Sequence, residues 1–396
     1  MRILTAHNYY QYQGGEEQVF ESESDLLEAN GHRVLRYTLS NKQIDQMSSL
    51  SLLSKTLWNE QVYQELRSLI CKEQIQIAHF HNTFPLISPS AYYACKAEGI
   101  PVIQTCHNYR LLCPNGMFLR DGQVCEDCLG KFIPLASIQH GCYRGKRLAS
   151  AAVTAMLTTH RIVQTWKHQV NVYIALTDFA RQQLIRGGIP AEKVMVKPNF
   201  VYPDPSEGDG KGQYALFVGR LSQEKGIDLL LSAWEKIGDR FPLKIVGDGP
   251  LEDRVAVKSE LTPGISWLGR KALEDIYALM KGATFLVFPS LWYEGLPRTI
   301  IESFAVGTPV IAANLGSMSS LITPGQNGFL FESGNLEDLV AQILWATNHL
   351  EEISQLRQKT RAEFMTKYTA KESYRELMKI YQKILGIRAS KEKVKL

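Results

Sequence analysis

One rhythm limits what this chain can fold into: short apolar runs alternate with helical segments almost from end to end. In the first half the runs are Ile3–His7, Val34–Thr38, Ile75–Phe80, Val102–Cys106 and Tyr173–Leu176. In the second half they are Ala215–Gly219, Leu243–Gly247, Ile265–Gly269, Phe285–Pro289 and Pro309–Ala312. They are apolar throughout, with no alternation, and many end in Gly, His or Ser just before a helix. Strands covered on both faces and joined by helical crossovers read this way, so the expected class is α/β with parallel sheets. The rhythm lapses at Tyr202–Gly212, YPDPSEGDGKG, whose Pro, Gly and Asp residues mark a linker. The 396 residues therefore divide into two doubly wound domains of similar size, expected at 1–203 and 204–370. Within Glu351–Ile387 the charged amphipathic pattern predicts two helices, and Arg388–Leu396 reads as a frayed end.

Charge and cysteine usage narrow the class further. The balance of 44 Lys+Arg against 40 Asp+Glu, a formal +4, is too weak to argue for nucleic acid. No run approaches the 18 or so apolar residues of a spanning helix. Met1–His7, MRILTAH, reads as a first strand and not as a leader, so a cytoplasmic protein is expected. Seven cysteines, an odd number, fit a reducing compartment better than a disulfide framework.

In open α/β sheets ligands bind at the carboxyl ends of strands, and with two domains the cleft between them is the expected site. The informative residues are those that follow the apolar runs. VGRLSQEKGID puts Arg220 at a strand end and Lys225 just before a helix, which makes an anion site. KIVGDGPLED carries Gly247 and Gly249 in a strand-to-helix turn, and ISWLGR places Gly269 and Arg270 at another strand end. PSLWYEGLPRTIIESFAVGTPVIA sets Glu294 before a helix expected over Leu296–Val306 and Glu302 about two turns inside it. Gly295 and Leu296 offer backbone N–H groups at that helix start. Taken singly, each piece has a plain structural reading: basic caps, a tight turn, a solvated helix acid.

Together, R-x4-K, G-D-G, L-G and E-x7-E in this order resemble the nucleotide-sugar domain of retaining GT-B glycosyltransferases, family 4 (glycosyl transferases group 1). The resemblance spans roughly residues 1–385, and SLWYEGLPRTIIESFAVGTPVIAANLGS carries it most closely. It implies the GT-B fold, two Rossmann-like domains, with 371–396 a helical segment returning to the first. It also implies a retaining sugar transfer from a nucleoside diphosphate, with no metal or cofactor for catalysis. By the same resemblance Arg220 and Lys225 neutralise the donor diphosphate, Gly295 and Leu296 donate backbone N–H groups to it, and Glu302 holds the ribose. Glu294 lies by the transferred sugar. Gly247 and Gly269 match the glycines of the donor site. In the first half, Gly14-Gly15 resembles the family's G-G-x-E loop near the diphosphate, with its helix expected from Glu16 or Glu17. His107, after Val102–Cys106, matches a histidine near the donor sugar. His7, His79 and His81 read as cleft-wall or satisfied core histidines. Three positions depart from the pattern. Glu16 stands where a small residue is usual and should point away from phosphate. Asn108 replaces a frequent acid, and Ser320 a frequent glutamate. A sugar-nucleotide epimerase and a non-catalytic partner subunit remain alternatives. The base, the sugar and the acceptor (sugar, polysaccharide or lipid-linked) stay open.

The insertion 108–145 holds Cys113, Cys125, Cys128 and Cys142, spaced C-x11-C-x2-C-x13-C, with His140 as a substitute ligand. The pattern suits a structural zinc; a redox pair at Cys125–Cys128 and reduced thiols are the alternatives. Cys71, Cys95 and Cys106 read as small core residues. No Asp or Glu occurs from Cys128 to Thr177, while Lys131, Arg144, Lys146, Arg147, Arg161 and Lys167 do, mixed with Trp166 and the run Leu148–Leu157. Such a stretch fits a packing helix with a basic edge or a peripheral contact with the inner face of a membrane.

Overall fold

Every one of the ten apolar runs becomes a parallel strand in the computed structural model, which describes residues 1–11 and 14–386. The frayed end expected at Arg388–Leu396 lies outside the described residues. Two compact units form. Unit 1 takes in Met1–Phe118, Cys125–Asn199 and the chain from Ala370, whereas unit 2 takes in Leu119–Val124 and Phe200–Thr369.

The strands of unit 1 are β1 (Arg2–Tyr9), β2 (Arg33–Ser40), β3 (Ile77–Asn82), β4 (Val102–Cys106), β7 (Val172–Ala175) and β8 (Val194–Val196), in the order β2-β1-β3-β4-β7-β8. The short antiparallel hairpin β5 (Leu119–Arg120) and β6 (Gln123–Val124) belongs to the insertion. Unit 2 carries β9 (Ala215–Val218), β10 (Leu243–Val246), β11 (Ile265–Trp267), β12 (Phe285–Phe288), β13 (Val310–Ala313) and β14 (Gly328–Phe331), ordered β11-β10-β9-β12-β13-β14. β8 and β14 escape a sequence reading: the first is three residues long, and the second opens on a glycine.

Each sheet winds outward in two directions, and the point of reversal is where ligands bind in such folds. In unit 1 it lies between β1 and β3, and in unit 2 between β9 and β12. The stretch expected as a linker is instead bonded onto unit 2. The amides of Gly208, Gly210 and Gly212 donate to the carbonyls of Val306, Lys281 and Gly282 at 2.9–3.0 Å, and Arg361 holds Asp204 at 2.6 Å. Pro, Gly and Asp mark irregular backbone, but irregular backbone can still be tied down.

Helix Gly15–Ala29 covers β1 with Val19, Phe20, Leu26 and Leu27, and Glu23 stands on the same buried face. Its partner is Lys197, one residue past β8, at 2.6 Å, and both side chains are 3% exposed. Two imidazoles complete the cluster: His79 Nδ1 and His81 Nε2 lie 3.2 and 3.3 Å from Glu23 Oε1. His79 also bonds the Thr105 hydroxyl at 2.7 Å and the Tyr381 hydroxyl at 2.8 Å. Tyr381 comes from the C-terminal helix Ala370–Leu385, which also bonds His32 through Tyr374. Burial works to raise the Glu23 carboxyl, but Lys197 and the imidazoles hold it well below the usual carboxylate range.

An ion pair this dry is costly to break from one side, because the survivor is left charged and unsolvated. Lys197→Met should cost unit 1 about 3–5 kcal/mol, and adding Glu23→Gln should return most of the loss. Hydrogen exchange at the β1 and β3 amides reads this without treating the whole chain as two-state.

Candidate functional site

The reversal point of unit 2 is built by two loops that glycine lets touch. The loop after β9 ends at Gly226, whose φ is +73°, and a Cβ there would sit 2.0 Å from the carbonyl oxygen of Pro289 at the end of β12. The contact is sealed when Leu291 N–H donates to Glu224 O at 2.8 Å. Lys225 therefore meets the loop after β12. Its Nζ bonds Glu294 Oε1 at 2.6 Å and lies 5.5 and 5.6 Å from the ring centres of Trp292 and Phe288. The same carboxylate oxygen accepts from Ser290 Oγ at 2.7 Å and Trp292 Nε1 at 2.9 Å. Glu294 is thus a buried, aimed carboxylate, and Lys225 is a cation held beside two aromatic faces.

Glu302 is not the solvated acid of the plain reading. The helix runs Arg298–Ala305, shorter than the expected Leu296–Val306, because Pro297 takes an extended conformation (ψ 110°) as its cap. Glu302 is therefore little more than one turn inside, and it is only 7% exposed. Arg298, four residues earlier, donates to Glu302 Oε1 at 3.0 Å. Both Arg298 bonds go to Oε1, so among the described residues Oε2 remains to accept a further hydrogen bond. Gly295 and buried Leu296 precede the helix, and Gly295 O accepts from Ser317 Oγ at 2.8 Å.

Arg220, Gly247 and Gly269 line the neighbouring strand ends. Gly247 adopts φ +143°, and a Cβ would stand 1.9 Å from Gly219 O. Its N–H bonds Gly269 O at 2.9 Å and its carbonyl accepts from Trp267 Nε1 at 3.0 Å, so β9, β10 and β11 end side by side. Arg220 is exposed, and its Cγ would touch a Cβ placed on Gly249. Ser320, the departure after β13, is exposed and bonds only Ser317 O.

In unit 1, Gly14 caps helix Gly15–Ala29, which starts a residue or two before the expected Glu16 or Glu17. Glu16 turns inward to Tyr10 and Asn108, both at 3.3 Å. Burial, partly offset by those two hydrogen bonds and by Arg110, pushes its carboxyl up to about 8. Held neutral at pH 7, it does not repel an anion. Asn108 is thus bound to the residue that makes the other departure in this half.

His107 stacks on His81 with ring centres 5.2 Å apart and shares a 3.0 Å contact from Nε2 to His81 Nδ1. With Glu23 ionised, hydrogen on His81 Nε2 faces the carboxylate. His81 Nδ1 then accepts from His107 Nε2–H, and His107 Nδ1 is left as an acceptor. Burial first, then the nearby His81 and His7, hold the His107 imidazole well below its ordinary range, so it is neutral. His7 is a core residue, and neither of its ring nitrogens has a hydrogen-bond partner among the described residues. It stacks on Phe20 at 5.1 Å, and burial pushes it down to about 3.

Spacing did not reveal Glu23, Lys197, Arg298, Ser290 or Trp292. Glu23 left one trace: it occupies the apolar stripe of its helix, where an acid must find a partner. Among the other cysteines, Cys95 is buried, but Cys71 is exposed, contrary to the core reading, and donates to Glu98 at 2.9 Å.

Comparison with known proteins shows the family and the fold. Residues 13–204 match the model described as Glycosyltransferase Family 4, and residues 202–363 match the one described as Glycosyl transferases group 1. An uncharacterized glycosyltransferase of Methanocaldococcus jannaschii is 32% identical over 195 residues, 48% of this chain and 54% of the relative. The amylovoran biosynthesis glycosyltransferase AmsK of Erwinia amylovora is 25% identical over 232 residues, 54% of this chain and 57% of AmsK. The chain spans about half the length of the curated relatives it matches. Anabaena HepE, solved in complex with UDP, shares the fold with a TM-score of 0.70 at 16% identity, covering 97% of this chain and 100% of that one.

Glu16 yields a pH dependence of known sign. Between its ordinary 4.5 and its folded value of about 8, the folded chain keeps a proton that the unfolded chain releases. Stability should therefore fall as pH rises across that window. Glu16→Gln should be near neutral at pH 5 and clearly stabilising at pH 9, as read by melting temperature. An equal effect at both would place the carboxyl in an ordinary environment.

Proposed function

From the premise that this chain belongs to the glycosyl transferases group 1 family with a GT-B fold, we propose that it moves a sugar from a nucleoside-diphosphate donor to an acceptor hydroxyl. Retention at the anomeric carbon and service in polysaccharide or glycolipid biosynthesis are part of this reading. AmsK, named for amylovoran biosynthesis, supports the second. HepE, solved with UDP and with UDP-glucose, supports a nucleotide-sugar donor, with UDP the first base to try.

The observation that carries the reading is the 2.6 Å pair of Lys225 and Glu294 at the reversal point between β9 and β12. In this reading Lys225 and Arg220 neutralise the diphosphate, and the N–H groups of Gly295 and Leu296 add to them. Glu302, steadied by Arg298, takes the ribose hydroxyls, and Gly247 and Gly269 let the donor approach bare backbone. Glu294 receives hydroxyls of the transferred sugar. In unit 1, neutral His107 keeps an acceptor nitrogen for a sugar hydroxyl. Departure of the diphosphate is then assisted by fixed protein cations, with no metal required and no separate protein nucleophile. Each such preorganised group typically accounts for 10²–10³ in rate, as an order of magnitude. As the anomeric C–O bond breaks, its electron pair leaves with the diphosphate, and the oxygen that gains this charge takes the acceptor's proton.

A lipid-linked acceptor would suit the acid-free span. Leu148 (87% exposed), Phe132 and Leu135 stand out in water among exposed Lys131, Arg144, Lys146 and Arg147. Trp166 is buried and takes no part. No helix among the described residues is long and apolar enough to cross a membrane, so contact would be peripheral.

Lys225→Ala and Glu302→Ala should each lower transfer by about a hundredfold or more, measured as nucleotide release coupled to acceptor. Glu302→Ala should also weaken UDP or GDP binding in calorimetry. Near wild-type rates in both would end the assignment. Binding without transfer to any acceptor would favour a partner subunit, and donor isomerisation an epimerase. Purified protein should bind anionic vesicles, and Leu148→Ser with Arg147→Ser should weaken that binding. Vesicle binding that ignores both salt and these changes would remove the membrane contact.

A further inference from the structure

The insertion is a stretch with little regular structure whose backbone is nonetheless closely tied. Between Cys106 and Arg147 the described chain forms only β5, β6 and helix Leu135–His140. Each cysteine sits at a bonded turn. Cys113 N–H donates to Tyr109 O at 2.8 Å, and Cys113 O accepts from Gly116. Cys125 N–H donates to Phe118 O at 2.8 Å, one step beyond the β5–β6 ladder. After Cys128, Lys131 N–H returns to Cys128 O around Gly130, whose φ is +69°. Cys142 N–H closes helix Leu135–His140 by donating to Ser137 O at 3.0 Å.

These turns converge. Ser137 N–H faces the Cys128 thiol while Ser137 O holds Cys142, so a single residue's backbone joins two of the four. Cys113, Cys142 and Cys125 all lie within electrostatic reach of the Cys128 thiol. Arg161, from helix Arg147–Ile162, clasps the insertion from both sides by donating to the carbonyls of Leu111, Lys131 and Phe132 at 2.6–3.1 Å. It also lies within electrostatic reach of Cys128. The one polar contact of Cys113 Sγ given by the structure is with Asn115 Oδ1, at 3.0 Å. His140 is exposed.

We propose that Cys113, Cys125, Cys128 and Cys142 bind one zinc ion in a closed, purely structural tetrathiolate site that shapes the insertion. Four thiolates match the soft-ligand, tetrahedral preference of zinc and leave no open position for a substrate. Binding releases the thiol protons and changes no oxidation state. The tetrathiolate complex carries two negative charges, and the Arg161 guanidinium and the Ser137 N–H are placed to offset them. A second cluster, Glu23, His79 and His81, brings its ligand atoms within 4.8 Å of one another. Its carboxylate is already paired with Lys197, and both nitrogens of His79 are bonded to hydroxyls, so it is the weaker claimant. The zinc site is independent of the proposed transfer reaction.

The test is the full chain purified without chelator and without added metal. Elemental analysis should find about one zinc per chain, and zinc-edge absorption should show four sulfurs at about 2.3 Å. Cys128→Ser and Cys142→Ser should lose the metal, while Cys71→Ser, at an exposed site, should keep it. Should the serine variants fail to fold, a strong chelator applied to the wild type should make these four cysteines newly reactive to alkylation, mapped by mass spectrometry. The proposal is overturned by zinc-free protein, by a Cys125–Cys128 disulfide, or by chelation that leaves thiol reactivity unchanged. Zinc retained in Cys128→Ser, or nitrogen in its shell, would move the metal to the histidine cluster and equally overturn it.

Discussion

In unit 1 an acid and an amine face each other at 2.6 Å with almost no water, and much of the unit is arranged around them. Glu23 comes from the helix that covers β1, Lys197 from the end of β8, at the far edge of the sheet order. A buried carboxylate cannot be left with one partner, so His79 and His81 gather on its other oxygen. His79 then reaches Tyr381 on the C-terminal helix, and His81 reaches His107 at the end of β4. One desolvated charge pair thereby links packing of the last helix to the tautomer of the histidine that the proposed chemistry uses. Such a network is no certain gain in stability, since an apolar replacement could serve as well. What it supplies is orientation: the Glu23 charge 3.3 Å from His81 Nε2 favours hydrogen there, which leaves His81 Nδ1 to accept from His107.

Unit 2 solves a different problem with backbone alone. A site at a sheet's reversal point needs two loops in contact and bare strand ends beside them. Gly226 and Gly247 provide this, since a Cβ on them would stand 2.0 and 1.9 Å from a carbonyl oxygen. Their conformations put Lys225 against Glu294 and bring the ends of β9 and β10 together through bare glycine backbone. The pairing has an electrostatic use before any ligand arrives. A lone cation over two aromatic rings would draw any anion, whereas a paired one must be won from its carboxylate.

Legibility followed the range of the forces involved. Apolar runs declared the strands because a strand covered on both faces must be apolar along its length. The three-residue β8 was silent, for so short a run carries no period. The spacing of Arg220, Lys225, Glu294 and Glu302 was visible because it is local. That Lys225 should touch Glu294, sixty-nine residues on, was not. Neither was the role of Arg298, although its place four residues before Glu302 is the spacing at which helix side chains meet. Tyr202–Gly212 shows a related limit: turn-forming residues announce irregular backbone, and only the fold decides whether that backbone hangs free or is bonded down.

The amino-acid sequence alone determined the class of fold, the presence of two large parallel sheets and the order of its chemical groups, because hydrophobic period and turn chemistry act over a few residues. The tertiary structure alone decided which charges would be desolvated together. Glu23 became an ionised core residue and Glu16 a neutral one, although both are glutamates of a single helix, since one faces an ammonium and the other a phenol and an amide. The energy of a charge depends on its surroundings far more than on its identity, and those surroundings are assembled from segments distant in the chain.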